Sequence, residues 1–216
     1  MKIGILGGTF NPIHLAHLRI AEEAREVCGL DRVLFIPTST PPHKATAGDV
    51  PFRDRHAMAL LATENNPSFA VTDLENRRPG KSYSIDSLNI LQGENPQACF
   101  YFILGMDSFL DIHTWKDFRG LFRLANFVTV ARPGFSPPTS PRELLPVAVR
   151  EEFCYDTESA TMVHKSGNRL IFLQETRLDI SSTRIRQLVA EKRSIKYLVT
   201  PAVEDYILKH GLYLNG

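Results

Sequence analysis

The chain has 216 residues, of which 43% are hydrophobic and 23% are charged, and its formal net charge is +1 at pH 7. These values are typical of one globular domain over residues 1–216 with a sizeable core, and they exclude a disordered or fibrous chain. A nearly neutral chain has no global attraction for nucleic acid or an anionic membrane, so neither is an expected partner.

Strand-like and helix-like segments alternate along the chain. Short apolar runs bounded by turn residues predict strands at Ile3–Leu6, Val33–Pro37, Phe69–Leu74, Cys99–Leu104, Phe127–Ala131 and Leu170–Leu173. Helical spacing of apolar residues predicts helices along the stripe Leu18, Ala21, Ala24 and Val27, over Arg53–Glu64 with the stripe Ala57, Leu60 and Leu61, over Tyr83–Leu91 with Ser84 as a cap, and over Ser182–Lys192 and Pro201–Tyr213.

This alternation predicts an α/β fold, with a Rossmann-like parallel sheet, right-handed crossovers and helices on both faces. Residues 182–216 form a C-terminal helical part of the same domain. In such folds the ligand lies beyond the carboxyl ends of the strands, where the strand order reverses.

The segment Pro133–Asn168 is the least regular part of the chain and is rich in proline. It is too short to hold a core of its own. We therefore expect an insertion or a mobile lobe, with one short helix over Arg142–Phe153.

The three cysteines, Cys28, Cys99 and Cys154, are widely spaced and outside any paired motif. That pattern favours free thiols in a reducing compartment, and no apolar run has the length of a membrane span. We expect a soluble, cytoplasmic protein without a membrane partner.

A glycine turn follows the first strand, and two histidines follow the turn. Gly7 and Gly8 match neither the G-x-G-x-x-G fingerprint nor a P-loop, which argues against a classical dehydrogenase and a P-loop kinase. Backbone N–H groups at such a turn can bind phosphate, and His14 and His17 would share a helix face beside it. A lone histidine at a helix start is more often just a satisfied polar residue, and the spacing does not favour zinc.

The stretch Ile180–Arg186 is a second candidate anion site. Its hydroxyl residues begin a predicted helix, whose N-terminus attracts anions. Arg184 and Arg186 lie on different faces of the predicted helix, so one can turn towards a phosphate while the other stays solvated. Lys44, in the proline-rich loop after the second strand, adds a cation, although alone it would be an ordinary surface lysine.

Five motifs occur in an order that resembles the bacterial nicotinate-nucleotide adenylyltransferase family, of the nucleotidyltransferase superfamily with the H-x-G-H signature. They cover most of the chain and comprise Gly-Gly-Thr-Phe-Asn-Pro-Ile-His-Leu-Ala-His, Pro-Pro-His-Lys, Ser-Tyr-Ser-Ile-Asp-Ser-Leu, Gly-Met-Asp-Ser followed by Trp115, and Ile-Ser-Ser-Thr-Arg-Ile-Arg.

The resemblance implies a reaction in which the phosphate of nicotinate mononucleotide attacks the α-phosphorus of ATP in line. Pyrophosphate leaves and deamido-NAD forms, a step of NAD biosynthesis. Such chemistry needs positioning and charge stabilisation more than a covalent nucleophile. Mg²⁺ is expected as a cofactor that arrives on the ATP phosphates, without metal ligands from the protein, and no prosthetic group is implied.

By the same resemblance, His14, His17 and Arg186 act at the reacting phosphates. The residues that the resemblance assigns to ATP and phosphate binding are Gly7, Gly8, Thr9, Phe10, Lys44, Ser182 and Thr183.

Four further residues are implied at the mononucleotide. Trp115 would stack on the pyridine ring, and Asp107 would accept ribose hydroxyls. Ser84 and the backbone amide of Lys116 would receive the nicotinate carboxylate. Without the resemblance, Asp107 would be an ordinary cap or turn aspartate and Trp115 a core residue.

The sequence departs from the family pattern at Ala16, where glycine is expected and where a methyl group could narrow the ATP cleft. Ser84 and Ser87 stand in place of threonines but keep the hydroxyl. Two alternatives stay open: a sister nucleotidyltransferase acting on nicotinamide mononucleotide or another phosphate, and a non-catalytic nucleotide-binding module. An aminoacyl-tRNA synthetase is disfavoured by length and charge, and a homo-oligomer is compatible with the sequence.

Overall fold

In the computed structural model, which describes residues 1–40, 50–131, 141–173 and 178–214, eight strands form one sheet. The strands are β1 (Lys2–Gly8), β2 (Arg32–Pro37), β3 (Phe69–Val71), β4 (Cys99–Gly105), β5 (Asn126–Val130), β6 (Phe153–Asp156), β7 (Thr161–His164) and β8 (Arg169–Leu173).

The helices lie mainly between the strands, as the alternating sequence pattern predicts. Those of the described residues are α1 (Leu15–Cys28), α2 (Phe52–Thr63), α3 (Ser84–Glu94), α4 (Met106–Leu110), α5 (Phe118–Leu124), α6 (Ser182–Ala190) and α7 (Pro201–Lys209). None of them combines the length and apolar character that a membrane-spanning helix needs.

The order of the strands across the sheet is β3-β2-β1-β4-β5-β8-β7-β6. From β3 to β8 neighbouring strands pair in parallel, which confirms the predicted parallel sheet. The pairs β8–β7 and β7–β6 are antiparallel, so the complete sheet is mixed.

The strands β6 and β7 lie inside the segment that the sequence suggested was irregular. Each has only four residues, too few for a clear alternation of apolar and polar side chains. Two 3-10 helices, Pro141–Leu144 and Val147–Glu152, replace the single helix predicted over Arg142–Phe153. Pro146 lies between them, where its ring and missing N–H oppose a continuous helix.

The core consists of two apolar clusters, one on each face of the sheet. On β4, Phe102 belongs to the cluster that contains α3 and α5 side chains, whereas its neighbour Ile103 belongs to the cluster that contains α1, α6 and α7 side chains. Successive residues of a strand point to opposite faces. The sheet is therefore covered by helices on both sides, as predicted.

The predicted apolar stripes of α1 and α2 are wrong in detail. Val27 is 56% exposed and Leu60 is 47% exposed, whereas Met58 and Ala59 are fully buried. The reason on α2 is that its buried face also carries a charged side chain, Arg55, three and four residues before that pair. A stripe chosen by hydrophobicity alone is therefore rotated away from the true buried face.

Two boundaries around α3 also differ from the prediction. The strand β3 ends at Val71 and not at Leu74. Ser84 is the first helical residue, and the cap position belongs to Tyr83, whose carbonyl accepts the backbone N–H of Ser87 at 3.2 Å.

Gly4 is a position where the central strand has little room for a side chain. A Cβ atom there would lie 2.8 Å from a methyl group of Leu30 and 3.1 Å from one of Ile103. Because overpacking a filled core is destabilising, Gly4→Val should lower the free energy of unfolding by about 1–3 kcal/mol, measured by denaturant titration. The control is Gly93→Ala near the end of α3, where a Cβ meets nothing within 4 Å and helix propensity favours alanine. Equal stability of Gly4→Val and the unmutated protein would contradict this account.

Candidate active site

The chain reverses its direction across the sheet between β1 and β4. From β1 it proceeds to β2 and β3 on one side, and it returns through β4 and β5 on the other. The loops that follow β1 and β4 therefore diverge at the carboxyl edge of the sheet and leave a crevice between them. This is the switch point at which the sequence predicted a ligand.

The loop after β1 packs around the ring of Phe10. Phe10 is 2% exposed and has a φ of 49°, a left-handed conformation that is uncommon for a bulky residue. Its ring lies edge-on to the imidazole of His17, with 5.1 Å between centroids. A Cβ at Gly8 would approach the Phe10 ring to 3.0 Å, whereas one at Gly7 would meet nothing within 4 Å. Because Gly8 has no Cβ, the buried Phe10 ring can pack directly against the turn.

The two predicted histidines lie against each other at the start of α1. His14 is the N-cap residue and His17 occupies the third helical position. Their rings stack with 3.7 Å between centroids and 25° between planes. The backbone N–H of His14 donates to Nδ1 of His17 at 3.2 Å, so the neutral His17 ring carries its hydrogen on Nε2.

Ala16, which replaces the expected glycine between the two histidines, lies in the first turn of α1 and is 6% exposed.

The C-terminal part of the chain is bonded directly to the loop after β1. Arg186 donates through Nη1 to the carbonyl of Asn11 at 2.8 Å, and Ser182 donates through Oγ to the carbonyl of Pro12 at 2.8 Å. The hydroxyl of Tyr213 donates to Oδ1 of Asn11 at 2.7 Å. The structure therefore brings the two predicted anion sites together, although their residues are far apart in sequence.

The start of α6 has a cap and two differently directed arginines. Ser181 is the N-cap residue, and its side chain accepts the backbone N–H of Arg184 at 3.2 Å. Arg184 is exposed and donates to Gln187 at 2.8 Å, whereas Arg186 turns inward to the loop. Thr183 is exposed at the second helical position. Arg186 therefore turns towards the loop after β1, whereas Arg184 bonds within its own helix.

Arg55 is a site residue that the motifs did not reveal. It is 4% exposed and donates to the carbonyl of Thr9 at 2.6 Å and to the carbonyls of Val50 and Ser39 at 3.3 Å each. It therefore connects the loop after β1 to residues on either side of 41–49. The only sequence signal is that Arg55 shares a helix face with Met58, one of the most buried residues of α2. Lys44 lies outside the described residues.

The start of α3 is tied to the same edge of the sheet by the loop after β2. Thr38 donates its N–H to the carbonyl of Gly8 at 2.8 Å. Thr40 and Ser82 exchange two hydrogen bonds, one from the Ser82 N–H to the Thr40 carbonyl at 3.0 Å and one from the Thr40 N–H to the Ser82 hydroxyl at 3.4 Å. Ser84 follows two residues later as the first residue of α3.

The remaining predicted residues come from the segment after β4. Asp107 is exposed in the first turn of α4. Trp115 is half-buried and meets Phe102 edge-on, with 6.2 Å between ring centroids. The side chain of the next residue, Lys116, reaches Asp86 in the first turn of α3 at 3.0 Å. The segment after β4 therefore contacts the start of α3.

Within the described ranges, no three His, Cys, Asp or Glu side chains come together in a way that could hold a metal ion. The crevice presents N–H donors and cationic groups instead of a carboxylate cage.

A cytidylyltransferase-like family model matches residues 5–188. The chain is 62% identical over 213 residues to the "Probable nicotinate-nucleotide adenylyltransferase" of Syntrophotalea carbinolica, with 99% of this chain and 97% of that protein covered. It is 52% identical over 215 residues to the protein of the same name from Geobacter sulfurreducens, with 100% and 99% covered.

Among solved structures, the chain is similar to Plasmodium falciparum nicotinic acid mononucleotide adenylyltransferase complexed with NaAD. The TM-score is 0.76 at 22% identity, and the match covers 100% of this chain and 98% of that one. At this identity the match establishes the fold.

Removing the guanidinium of Arg55 should loosen the loop after β1. Arg55→Met removes a buried guanidinium and leaves three part-buried hydrogen bonds without their donor, so the free energy of unfolding should fall by about 2 kcal/mol. Arg53→Met is the matched control two residues away, since that side chain is 84% exposed and its guanidinium is largely solvated. Denaturant titration measures both, and a similar loss in the two variants would refute the role of Arg55.

Proposed function

The chain belongs to the nicotinate-nucleotide adenylyltransferase family, and we propose that its crevice between β1 and β4 transfers the adenylyl group of ATP to nicotinate mononucleotide. The products are deamido-NAD and pyrophosphate, so the reaction is a step of NAD biosynthesis. The observation that carries the proposal is the stacked pair His14 and His17, which lies beside the loop that Arg186 and Ser182 hold in place.

In this reaction a phosphate oxygen of the mononucleotide forms a bond to the α-phosphorus of ATP. The bond between that phosphorus and the oxygen that bridges to the β-phosphate breaks. Negative charge develops on the leaving pyrophosphate and on the oxygens of the α-phosphoryl group. Fixed donors aimed at these oxygens lower the barrier without themselves reacting. The Nε2–H of His17 is one such donor, because Nδ1 is already occupied by the backbone N–H of His14.

The glycine turn supplies a second set of donors. The carbonyls of Gly8 and Thr9 accept hydrogen bonds from Thr38 and Arg55. In a trans peptide the N–H points opposite to the carbonyl. The N–H groups of Thr9 and Phe10 are thereby directed away from these donors, and we assign them, with the backbone of Gly7 and Gly8, to the phosphates.

The start of α6 would bind the outer phosphates of ATP. The hydroxyl of Ser182 donates to Pro12, so its contribution to phosphate binding would come from its N–H group. That N–H and the N–H of Thr183 lie in the first turn, where helix N–H groups have no intrahelical acceptor. Arg186 has further N–H groups beyond the one that it donates to Asn11.

Mg²⁺ fits this site as an ion carried by the ATP phosphates, since the described side chains offer no cluster of ligands for it. When bound, it would neutralise charge on the β- and γ-phosphates.

The other side of the crevice would bind the acceptor. Trp115 presents a flat aromatic surface for the pyridine ring, and Asp107 accepts ribose hydroxyls. Ser84 and the first N–H groups of α3, together with the amide of Lys116, receive the nicotinate carboxylate, since charge-assisted hydrogen bonds are stronger than neutral ones.

The direct test supplies ATP and Mg²⁺ with nicotinate mononucleotide, nicotinamide mononucleotide or an unrelated phosphate, and measures pyrophosphate. Rapid release is expected with the nicotinate compound only. Equal rates with the nicotinamide compound would refute carboxylate recognition, and no release with either compound would refute the proposed function.

Replacing His17 separates its chemical role from its structural one. His17→Gln should keep the cap at the third helical position, where a glutamine can accept the N-cap N–H, but it removes the imidazole. Turnover should fall by a factor on the order of 100 or more, with unchanged thermal stability. The exposed His210 provides the control His210→Ala, which should keep normal turnover. Near-normal turnover of His17→Gln would exclude the assigned role.

Trp115→Ala should raise the KM for the mononucleotide by about tenfold, because aromatic stacking on a base contributes about 1–3 kcal/mol. The KM for ATP should change much less. If only the KM for ATP changes in steady-state kinetics, Trp115 does not stack on the pyridine ring.

A further inference from the structure

Three charged side chains meet at the start of α3. Asp86, the third residue of that helix, accepts Lys116 Nζ at 3.0 Å on both of its oxygens. Arg78 Nη2 donates to Asp86 Oδ2 at 3.1 Å. We refer to Arg78, Asp86 and Lys116 as the Asp86 clamp.

The clamp joins three separate segments of the chain. Arg78 comes from the loop after β3, Asp86 from α3 and Lys116 from the segment after β4. The Nζ of Lys116 also lies 4.8 Å from the ring centroid of Tyr83, the N-cap residue of α3. Lys116 is therefore held at the start of α3 both by an ion pair and by an aromatic face.

We propose that Asp86 is a positioning residue that gives the site its preference for a carboxylate-bearing ring. By holding the side chain of Lys116, Asp86 places the main chain of Trp115 and Lys116 against the first N–H groups of α3. A ring carboxylate can then bind both sets of N–H groups at once. This inference rests on the proposed function, because it assigns the residue that shapes the acceptor half of that site.

The charges of the clamp are compatible with this role. A carboxylate in the first turn of α3 would by itself repel a second carboxylate at the same helix start. The two cations outweigh it, so the clamp carries a net charge of one positive unit. Burial alone raises the pKa of Asp86, but the hydrogen bonds and charges of Lys116 and Arg78 lower that pKa below its ordinary value. Asp86 is therefore ionised at neutral pH and can hold both cations.

Positioning and simple charge predict opposite effects when Asp86 is removed. If the clamp acts only through its charge, deleting a carboxylate leaves two uncompensated cations and improves binding of an acidic ring. If the clamp acts by positioning, deleting Asp86 releases Lys116 and weakens that binding. The direction of the change therefore decides between the two.

The experiment compares Asp86→Ala, Lys116→Met and the double variant in steady-state kinetics with nicotinate and nicotinamide mononucleotides. Each single variant should raise the KM for the nicotinate compound about fivefold, a moderate effect because the Asp86 and Lys116 side chains are 25% and 51% exposed. The KM for ATP should change less than twofold. The double variant should be no worse than either single one, because both remove the same contact.

The matched controls come from a neighbouring ion pair in the same loop. Arg77 bonds Asp73 at 2.7 Å, with 59% and 45% of the side chains exposed. Arg77→Met and Asp73→Ala should leave the KM for both mononucleotides unchanged. Lys116→Arg, which can keep the ion pair, should restore most of the binding lost in Lys116→Met.

Trp115 is the only tryptophan of the chain, so its fluorescence reports the position of this segment without any turnover. Binding of nicotinate mononucleotide should quench the Trp115 fluorescence in the unmutated protein. Half-maximal quenching should require a higher mononucleotide concentration in Asp86→Ala. Asp86→Asn, which is nearly isosteric, gives the same measurement if the alanine variant unfolds.

A lower or unchanged KM for the nicotinate compound in Asp86→Ala or Asp86→Asn would overturn the proposal. This failure is distinct from failure of the proposed function, in which the unmutated protein itself forms no deamido-NAD.

Discussion

The site depends on the hydrogen bonds by which the C-terminal part of the chain holds the loop after β1. This loop leaves the sheet at Gly8, so its backbone carbonyls must find hydrogen-bond donors outside the β ladder. Arg186 and Ser182 provide donors for the carbonyls of Asn11 and Pro12, and Tyr213 bonds the Asn11 side chain. These partners lie 170 or more residues away. The arrangement of this loop therefore depends on contacts with α6 and with the segment after α7.

The same loop receives donors from two other parts of the molecule. Thr38 bonds the carbonyl of Gly8, and the buried guanidinium of Arg55 bonds that of Thr9. The loop is thus held on its carbonyl side by donors from the loop after β2, from α2 and from α6. Because the carbonyls already accept hydrogen bonds from the protein, the N–H groups on the opposite side of the loop are the backbone groups that can bind a phosphate. Most of the polar contacts that fix the loop are to its main chain, so they tolerate different side chains in the loop itself.

Much of this architecture follows from local sequence patterns. Apolar runs separated by helical stripes predict the six parallel strands and a switch point in their order. The features that were not predicted are those that local sequence patterns do not encode. The four-residue strands β6 and β7 are too short for a detectable period. Their place is set by the pairing of β7 with β8 and of β6 with β7.

Arg55 shows a second limit of local patterns. A charged residue is expected at a helix surface, and hydrogen bonds to the carbonyls of Thr9, Ser39 and Val50 help to make the burial of Arg55 favourable. The same long-range contacts rotate the buried face of α2 away from Leu60. The errors in the helix stripe and the missed site residue therefore have one physical cause.

The two halves of the crevice are built on different principles. In the proposed site, the phosphate half is held by hydrogen bonds from Arg186, Ser182 and Arg55 to backbone carbonyls. Short motifs contain the first two residues, whereas Arg55 lies outside them. The acceptor half is fixed by partly exposed side chains, with Lys116 held by Asp86 and Trp115 packed on Phe102. Substitutions in the loop after β3 or in the segment after β4 can change the acceptor half of the crevice without disturbing the phosphate half. The hydrogen bonds that hold the loop after β1 and the contacts that hold Lys116 and Trp115 therefore involve different residues.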